Sequence, residues 1–320
     1  MEKALQIISS ELAEFEDHFR HSVKSNVPLL DRIMRYIVKR KGKQLRPMFV
    51  FLSAKLGGNV NPSTYRAASL VEILHTATLV HDDVVDDSLE RRSFFSINAL
   101  WKNKIAVLVG DYLYSRGLLL SLDNGDLKPL QILTTAIKLM SEGELLQLEK
   151  ARNLNLEEDI YYEIISAKTA SLLASACAAG ASTTFSSDAD VEQMRLFGEK
   201  VGMAFQIRDD LFDYGNQDVG KPTGNDIKEK KLTLPLIYTL NTCEKDLRKK
   251  IIHIVKNENT NKEKVKFVID AVENAGGITY ARQKMMAFKE EAMAILFKFP
   301  KNDVRDALEE LVIFTIDRTM

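Results

Sequence analysis

The sequence predicts an all-α protein built as one large domain over residues 1–320. Three observations carry this. Proline and glycine are sparse, 7 and 15 in 320 residues, too few to punctuate a succession of short strands. No proline lies between Pro129 and Pro222. Apolar residues recur at spacings of three and four through most of the chain, the period of a helix face.

Taken in order, Ile8, Leu12, Phe15 and Phe19 form the first amphipathic stripe. Pro28 opens the next element, whose face is Leu29, Ile33 and Ile37, and Arg40-Lys41-Gly42-Lys43 interrupts it. Pro47 suits the first turn of a helix that Gly57-Gly58-Asn59 ends. Asn61-Pro62-Ser63 is a start signal, and a helix without a breaker follows over 65–88, with Leu70, Ile73, Leu74, Ala77 and Val80 on its apolar face. A second long segment covers 105–122. The turn Asp123-Asn124-Gly125-Asp126 follows it, and Pro129 opens a helix to 151. Further helices are expected over 157–180, 188–214, 232–241, 245–256, 262–274, 278–296 and 302–318. Val107-Leu108-Val109-Gly110 admits a strand, but no glycine-rich phosphate loop follows it.

Composition excludes several classes of function. Lys plus Arg number 44 and Asp plus Glu 45, a net charge of -1, so no nucleic-acid partner is expected. Two cysteines, Cys177 and Cys243, supply neither a disulfide framework nor a thiolate zinc site. No uninterrupted apolar run reaches the length of a bilayer, so no transmembrane segment is expected. The first residues turn acidic at Glu11, Glu14 and Glu16, unlike a signal peptide, and the expected location is cytoplasmic.

The chemistry sits in two acidic clusters. In His81-Asp82-Asp83-Val84-Val85-Asp86-Asp87 the aspartates at 82 and 86 share a helix face, with Cβ atoms about 5–6 Å apart. Like charges at that spacing repel, and no basic residue follows until Arg91. Gln206-Ile207-Arg208-Asp209-Asp210-Leu211-Phe212-Asp213 repeats the spacing after a mostly apolar stretch. One cluster alone is equally well a solvated helix end. Two matched clusters suit carboxylates that face each other and hold a hard divalent cation such as Mg²⁺, with water and phosphate completing its octahedron. Zinc at His75 and His81 is disfavoured because so many carboxylates would overcharge a tetrahedral site.

Cations alternate with the acids: Lys43 and Arg46, Arg91 and Arg92, Lys168 beside Thr169, Lys221, and Lys231. Each alone reads as a surface charge. Together they suit a diphosphate held partly by Mg²⁺ and partly by lysine and arginine, with internal salt bridges as the plainer alternative. His75 lies about two turns before Asp82 on the same helix. His81 reads equally as a structural neighbour, and Cys177, among alanines, as core filler.

With these motifs in this order, the chain resembles the trans-isoprenyl diphosphate synthases, or polyprenyl synthetases, and among them the long-chain hexa- to octaprenyl enzymes. The residues that carry the resemblance are Gly42-Lys43-Gln44-Leu45-Arg46-Pro47, Glu72-Ile73-Leu74-His75, both aspartate clusters, Arg91-Arg92, Lys168-Thr169, and Gly220-Lys221 with Asp226 and Lys231-Leu232-Thr233-Leu234-Pro235. The resemblance implies a helical bundle of the isoprenoid synthase type around a central cavity, and a homodimer. It implies a Mg²⁺-dependent prenyltransferase that joins an allylic diphosphate to isopentenyl diphosphate and releases diphosphate, with about three Mg²⁺ in the loaded site. Asp82, Asp86 and Asp209 would contact metal, supported by Asp83, Asp210 and Asp213. Arg91, Lys168 and Lys231, with Lys221, would hold the allylic diphosphate. Lys43, Arg46, His75 and Arg92 would hold isopentenyl diphosphate, and Thr169 and Gln206 would lie beside the reacting carbons. A transient membrane contact would suit release of a long apolar product.

Three departures stand out. Gln44 occupies a place that is commonly arginine, Ser93-Phe94-Phe95 replaces a commonly Gly- and Pro-bearing loop, and Lys230 replaces a common glycine. Product length is read from the turns before the first cluster. Leu74, Ala77 and Thr78 would line the exit of the growing tail, with Ile132, Ile137 or Met140 as candidates for its floor. Short-chain members of that family often carry a bulky aromatic at this level, and none of Leu74, Ala77 and Thr78 is aromatic, so the resemblance implies a product of about C30–C40, the length of a quinone side chain, rather than about C15–C20. A terpene cyclase and a noncatalytic helical subunit are the other classes, and diphosphate release that needs both substrates separates all three.

Overall fold

The structure, a computed structural model, describes residues 1–39, 42–91, 94–151, 157–215 and 224–317. Its helices are α1 (Glu2–Ile7), α2 (Ser9–Ser22), α3 (Pro28–Val38), α4 (Leu45–Gly57), α5 (Pro62–Val85), α6 (Ile97–Leu122), α7 (Leu127–Ala151) and α8 (Glu158–Ile165). A π-helical turn, Ser166–Ala170, joins α8 to α9 (Ser171–Ala181). There follow α10 (Asp188–Phe212), α11 (Asn225–Lys228), α12 (Leu234–Thr242), α13 (Lys245–Asn257), α14 (Lys262–Asn274), α15 (Gly277–Leu296) and α16 (Asp303–Ile316). The protein is all-α, as expected. The strands among the described residues are β1 (Glu90–Arg91) and β2 (Phe94–Phe95), an antiparallel pair in which Glu90 faces Phe95.

Two compact units are present. One comprises Met1–Ile137, Ser175–Arg195 and Pro300–Glu310. In it Asn61 caps α5 through the backbone N–H groups of Ser63 and Thr64, with Pro62 in the first turn, as the start signal predicts. Helix α5 lies along α6 and buries Ile73, Ala77 and Val80 against Ala106, Val109 and Leu113, with Ile33 and Met34 from α3 in the same cluster. Each of the valine, leucine, isoleucine and methionine side chains among them contributes roughly 1.5–3 kcal/mol by leaving water. Helix α6 begins earlier than the predicted 105, because two helical segments join across a kink at Lys102 (φ 72°, ψ 159°). The hairpin that precedes it is tied down where the Tyr36 hydroxyl donates to Phe95 O at 2.8 Å and the Ser96 hydroxyl to Ser88 O at 2.7 Å.

The other unit comprises Lys138–Ala174, Leu196–Phe299 and Leu311–Met320. Its core joins Tyr214 and Ile227 to Leu236 and Leu240 of α12, Ile251, Ile254 and Val255 of α13, and Val265, Val268 and Val272 of α14.

Two helical stretches are long and apolar although neither contains an unbroken apolar run of bilayer length. The helical stretches Ile97–Leu122 and Glu158–Ala181 are long and apolar enough to cross a bilayer by length and composition. Their apolar character is interrupted by isolated polar residues, such as Asp111 and Arg116 in α6, so no unbroken run betrays them. The second is largely buried, as a core helix is, whereas α6 leaves Leu100, Val107, Leu108, Leu118, Leu119 and Leu122 exposed.

Candidate active site

The first acidic cluster closes helix α5. Asp82 and Asp83 occupy its last turn, and Asp86 is the C-cap, its backbone N–H still donating to Asp82 O at 2.8 Å. The four-residue spacing therefore survives although the helix stops at Val85, short of the predicted 88. The negative end of a helix dipole disfavours carboxylates, and no basic residue lies in this last turn. Asp87, at φ 48°, turns the chain into the left-handed region and ends the helix. Asp83 points inward and is 4% exposed, while Asp86 and Asp87 are exposed. The carbonyl of Asp83 accepts two donors at 3.0 Å, the Ser88 N–H and Asn98 Nδ2. Tyr114 on α6 has its hydroxyl pushed up to about 12, chiefly by burial and then by the charge of Asp82.

Around this cluster, His81 turns to α6, with Nε2 at 3.2 Å from Val107 O and 3.5 Å from Asp111 Oδ1, which is the structural alternative for that residue. Arg46, in the first turn of α4, sets Nη1 3.4 Å from Glu72 Oε1 on α5. Lys43 is exposed, and Gln44 holds a left-handed backbone (φ 52°) at the N-cap of α4. His75 is half-buried one turn along from Glu72. Leu74 and Ala77 are buried, Ala77 within the α5–α6 cluster, whereas Thr78 is half-buried and donates to His75 O at 2.7 Å. Arg92 and Lys221, and the side chain of Arg91, lie outside the described residues.

The second cluster ends α10, where the adjacent acids part company. Asp209 is exposed and Asp210 is 6% exposed. Both oxygens of Asp210 accept hydrogen bonds, from the Tyr161 hydroxyl at 2.6 Å and from Gln206 Nε2 at 2.8 Å. Gln206 Oε1 in turn accepts from the Thr169 hydroxyl at 2.8 Å. Asp213 spends both oxygens on backbone N–H groups, Asn225 at 2.8 Å and Asp226 at 2.9 Å, and so shapes the entry to α11. That turn brings Asp226 to the cluster. Burial pushes Asp210 up to about 7, and burial with the neighbouring charge of Asp213 pushes Asp226 up to about 6.

Lys168 and Thr169 stand on the π-helical turn, a feature frequent at functional sites. Two helical glycines let neighbours approach it. A Cβ at Gly143 of α7 would stand 2.8 Å from Ala167 Cβ, and one at Gly202 of α10 would stand 2.5 Å from Ala170 Cα. Lys168 Nζ pairs with Glu144 and lies 3.3 Å from Gln147 Oε1. Lys231 pairs with Glu229 at 2.5 Å and lies 3.8 Å from Asp226. Burial disfavours its charge, but these acids outweigh burial and hold its ammonium above the usual lysine range. Lys230, before it, has φ 59°, which explains why glycine suits that place.

Residues 27–272 match the polyprenyl synthetase family. The chain belongs to that family. An octaprenyl diphosphate synthase of Escherichia coli (strain K12) is 31% identical over 320 residues, covering 99% of each chain. The crystal structure of a decaprenyl diphosphate synthase from Rhodobacter capsulatus superposes with a TM-score of 0.94 at 33% identity, covering 99% of this chain and 98% of that one. A geranylgeranyl pyrophosphate synthase from Bacteroides thetaiotaomicron superposes with a TM-score of 0.84 at 35% identity, covering 99% and 98%. This polyprenyl synthetase is therefore an all-α prenyltransferase that condenses isoprenoid diphosphates to a polyprenyl product.

The donors of this polyprenyl synthetase fit a hard divalent cation. They are carboxylates at a helix end with no basic residue in its last turn, and a buried group whose acids burial pushes toward neutrality. Among the described residues no three His, Cys, Asp or Glu side chains converge as a complete site, so substrate or water oxygens would finish the coordination. Sequence reasoning missed Tyr161, which reads as a core aromatic, and the π-helical turn. The signal for that turn was Gly143 and Gly202 inside otherwise unbroken helical patterns.

Proposed function

We propose that this polyprenyl synthetase adds successive isopentenyl diphosphates to an allylic diphosphate and yields an all-trans product of about C30–C40. One observation carries the choice of length. Thr78, on the Asp82 face of α5, is small and half-buried, and neither Leu74 nor Ala77 is aromatic. A short-chain product of about C15–C20 is the alternative, and the likeness to a geranylgeranyl pyrophosphate synthase keeps it in view.

The allylic C1–O bond breaks with its electron pair leaving on diphosphate. Lys168 and Lys231, with Arg91 and Lys221, hold that diphosphate and gain strength as its charge grows. Asp82, Asp86 and Asp209, supported by Asp83 and Asp210, would hold Mg²⁺, which when bound would supply the remaining neutralisation of the leaving group. Lys43, Arg46, Arg92 and His75 hold isopentenyl diphosphate so that its double bond meets the allylic cation. A carbon–carbon bond forms, and a proton passes to the departing diphosphate. Thr169 and Gln206 border the reacting carbons, where apolar walls keep water from the cation.

Residues 1–320 act as one polyprenyl synthetase domain, a reading supported by relatives matched over 99% of their length. A homodimer is supported by the exposed apolar side of α6, and sedimentation at 36.2 kDa would count against it. A cytoplasmic location is supported by the free thiols Cys177 and Cys243, and a quinone-precursor role by chain length alone. The deciding experiment is chromatography of products made with excess isopentenyl diphosphate. Wild type ending at about C30 or longer is expected, and a stop at C15 overturns the length while leaving the enzyme class.

A further inference from the structure

We infer that Tyr161 is a positioning residue for the Thr169 hydroxyl, acting through Asp210 and Gln206. Four side chains form one chain of hydrogen bonds that converges on Asp210. The Tyr161 hydroxyl donates to Asp210 Oδ2 at 2.6 Å, Gln206 Nε2 donates to Asp210 Oδ1 at 2.8 Å, and the Thr169 hydroxyl donates to Gln206 Oε1 at 2.8 Å. With the Tyr161 hydroxyl on one oxygen of Asp210 and Gln206 Nε2 on the other, the Gln206 amide lies with its nitrogen toward Asp210 and its oxygen toward Thr169. Thr169 can then only donate, and the lone pairs of its oxygen point away from Gln206.

That polarity matters because the group beside Thr169 in the reaction is a cation. An oxygen that spends its proton on Gln206 presents the negative end of its dipole to an allylic cation. One free to rotate averages that field away. Tyr161 lies eight residues before Thr169 on the same helical run, Tyr161 on α8 and Thr169 on the π-helical turn, and Gln206 and Asp210 are four apart on α10. The hydrogen bonds thus close a ring between two helical segments. Tyr161 is 3% exposed and touches no substrate in this scheme. It holds one side of Asp210, so that Gln206 cannot pull the carboxylate round. The inference rests on the placement of Thr169 beside the reacting carbons proposed above.

A double-mutant cycle tests it. Tyr161→Phe should lower kcat about tenfold, with KM for both substrates within about twofold and the thermal midpoint little changed. Thr169→Val should lower kcat by a similar factor or more. In the Thr169→Val background the further effect of Tyr161→Phe should shrink below about twofold, whereas Thr169→Ser, which keeps the hydroxyl, should keep the full sensitivity. Multiplicative effects in the double variant, as a merely structural tyrosine would give, overturn the relay. If Thr169→Val turns over normally, the placement of Thr169 itself fails and takes the relay with it. Should Tyr161→Phe not fold, the cycle run with Tyr161→Met, which removes the hydroxyl while a flexible apolar chain fills its place, decides by the same criterion.

Discussion

Replacing Gly202 by alanine should injure the enzyme more than its stability. The new Cβ would stand 2.5 Å from Ala170 Cα and 2.8 Å from Ala170 Cβ. Carbon atoms settle near 3.5–4.0 Å, so α10 must withdraw from the π-helical turn by about 1 Å. Ala170 follows Thr169, and Gln206 lies one turn beyond Gly202. The Thr169–Gln206 hydrogen bond, 2.8 Å in the native protein, would stretch to about 3.8 Å and cease to be one. Overpacking costs about 1–3 kcal/mol and the lost hydrogen bond about 1, against a gain of about 1 from alanine's helix propensity. The net loss is about 1–3 kcal/mol, a fall in Tm of roughly 1.5–4.5 °C for 320 residues. Turnover should drop about tenfold as Thr169 loses its fixed direction. Gly58→Ala is the control, since its Cβ would meet Thr184 at an ordinary 3.7 Å and its φ of 163° is extended backbone. Differential scanning calorimetry with steady-state diphosphate release measures both. An unchanged or raised Tm with kcat within about twofold of wild type would refute the reasoning.

Lys230→Gly should raise stability by up to about 1 kcal/mol in thermal unfolding, by relieving a left-handed backbone, and leave turnover near wild type. Asp210 and Asp226 bind protons more tightly folded than unfolded, their values rising from 3.8 to about 7 and about 6. Their contribution is present at pH 4 and is lost as pH rises to 7. Tm in EDTA should therefore carry a downward component across that interval, smaller in Asp226→Asn. Asp82→Asn and Asp209→Asn should each lower turnover by several orders of magnitude, and near-normal rates in both would reject the metal assignment. Thr78→Phe should shift products toward shorter chains at little cost in Tm. Ala77→Phe should shorten them too but also lower Tm, because Ala77 is packed among Ile73, Val80 and Ala106; an unchanged product profile in both would remove α5 from the tail's path.

Most helices were legible because their apolar period is long and their ends are marked. Asn61-Pro62 caps as expected, and 262–274 runs to its predicted bounds, with Asn261 as a cap that the structure adds. The start of α6 was not legible, since Lys102, Asn103 and Lys104 break the apolar period at the kink. The π-helical turn leaves no trace in Ser166–Ala170 itself, because its extra residue needs neither proline nor glycine. Among site residues, the acids and cations announce themselves by type and spacing. The opposite fates of Asp209 and Asp210 do not, for they depend on Tyr161, a partner 49 positions from Asp210 in the chain. The early end of α5 follows from charges crowding a negative helix terminus, a term that apolar periodicity does not contain.

Under the function proposed above, the pairing of the candidate cations with glutamates sets a threshold for any anion that enters. Arg46 rests against Glu72, Lys168 against Glu144 and Lys231 against Glu229. An arriving anion must displace a carboxylate already in place, so chloride or a singly charged ester gains little by the exchange, while a diphosphate, which brings several oxygens to more than one cation, does. Because one ion pair replaces another, fewer counterions are set free than at a bare basic surface. Substrate affinity should then vary gently with ionic strength, and the site selects multivalency over charge alone.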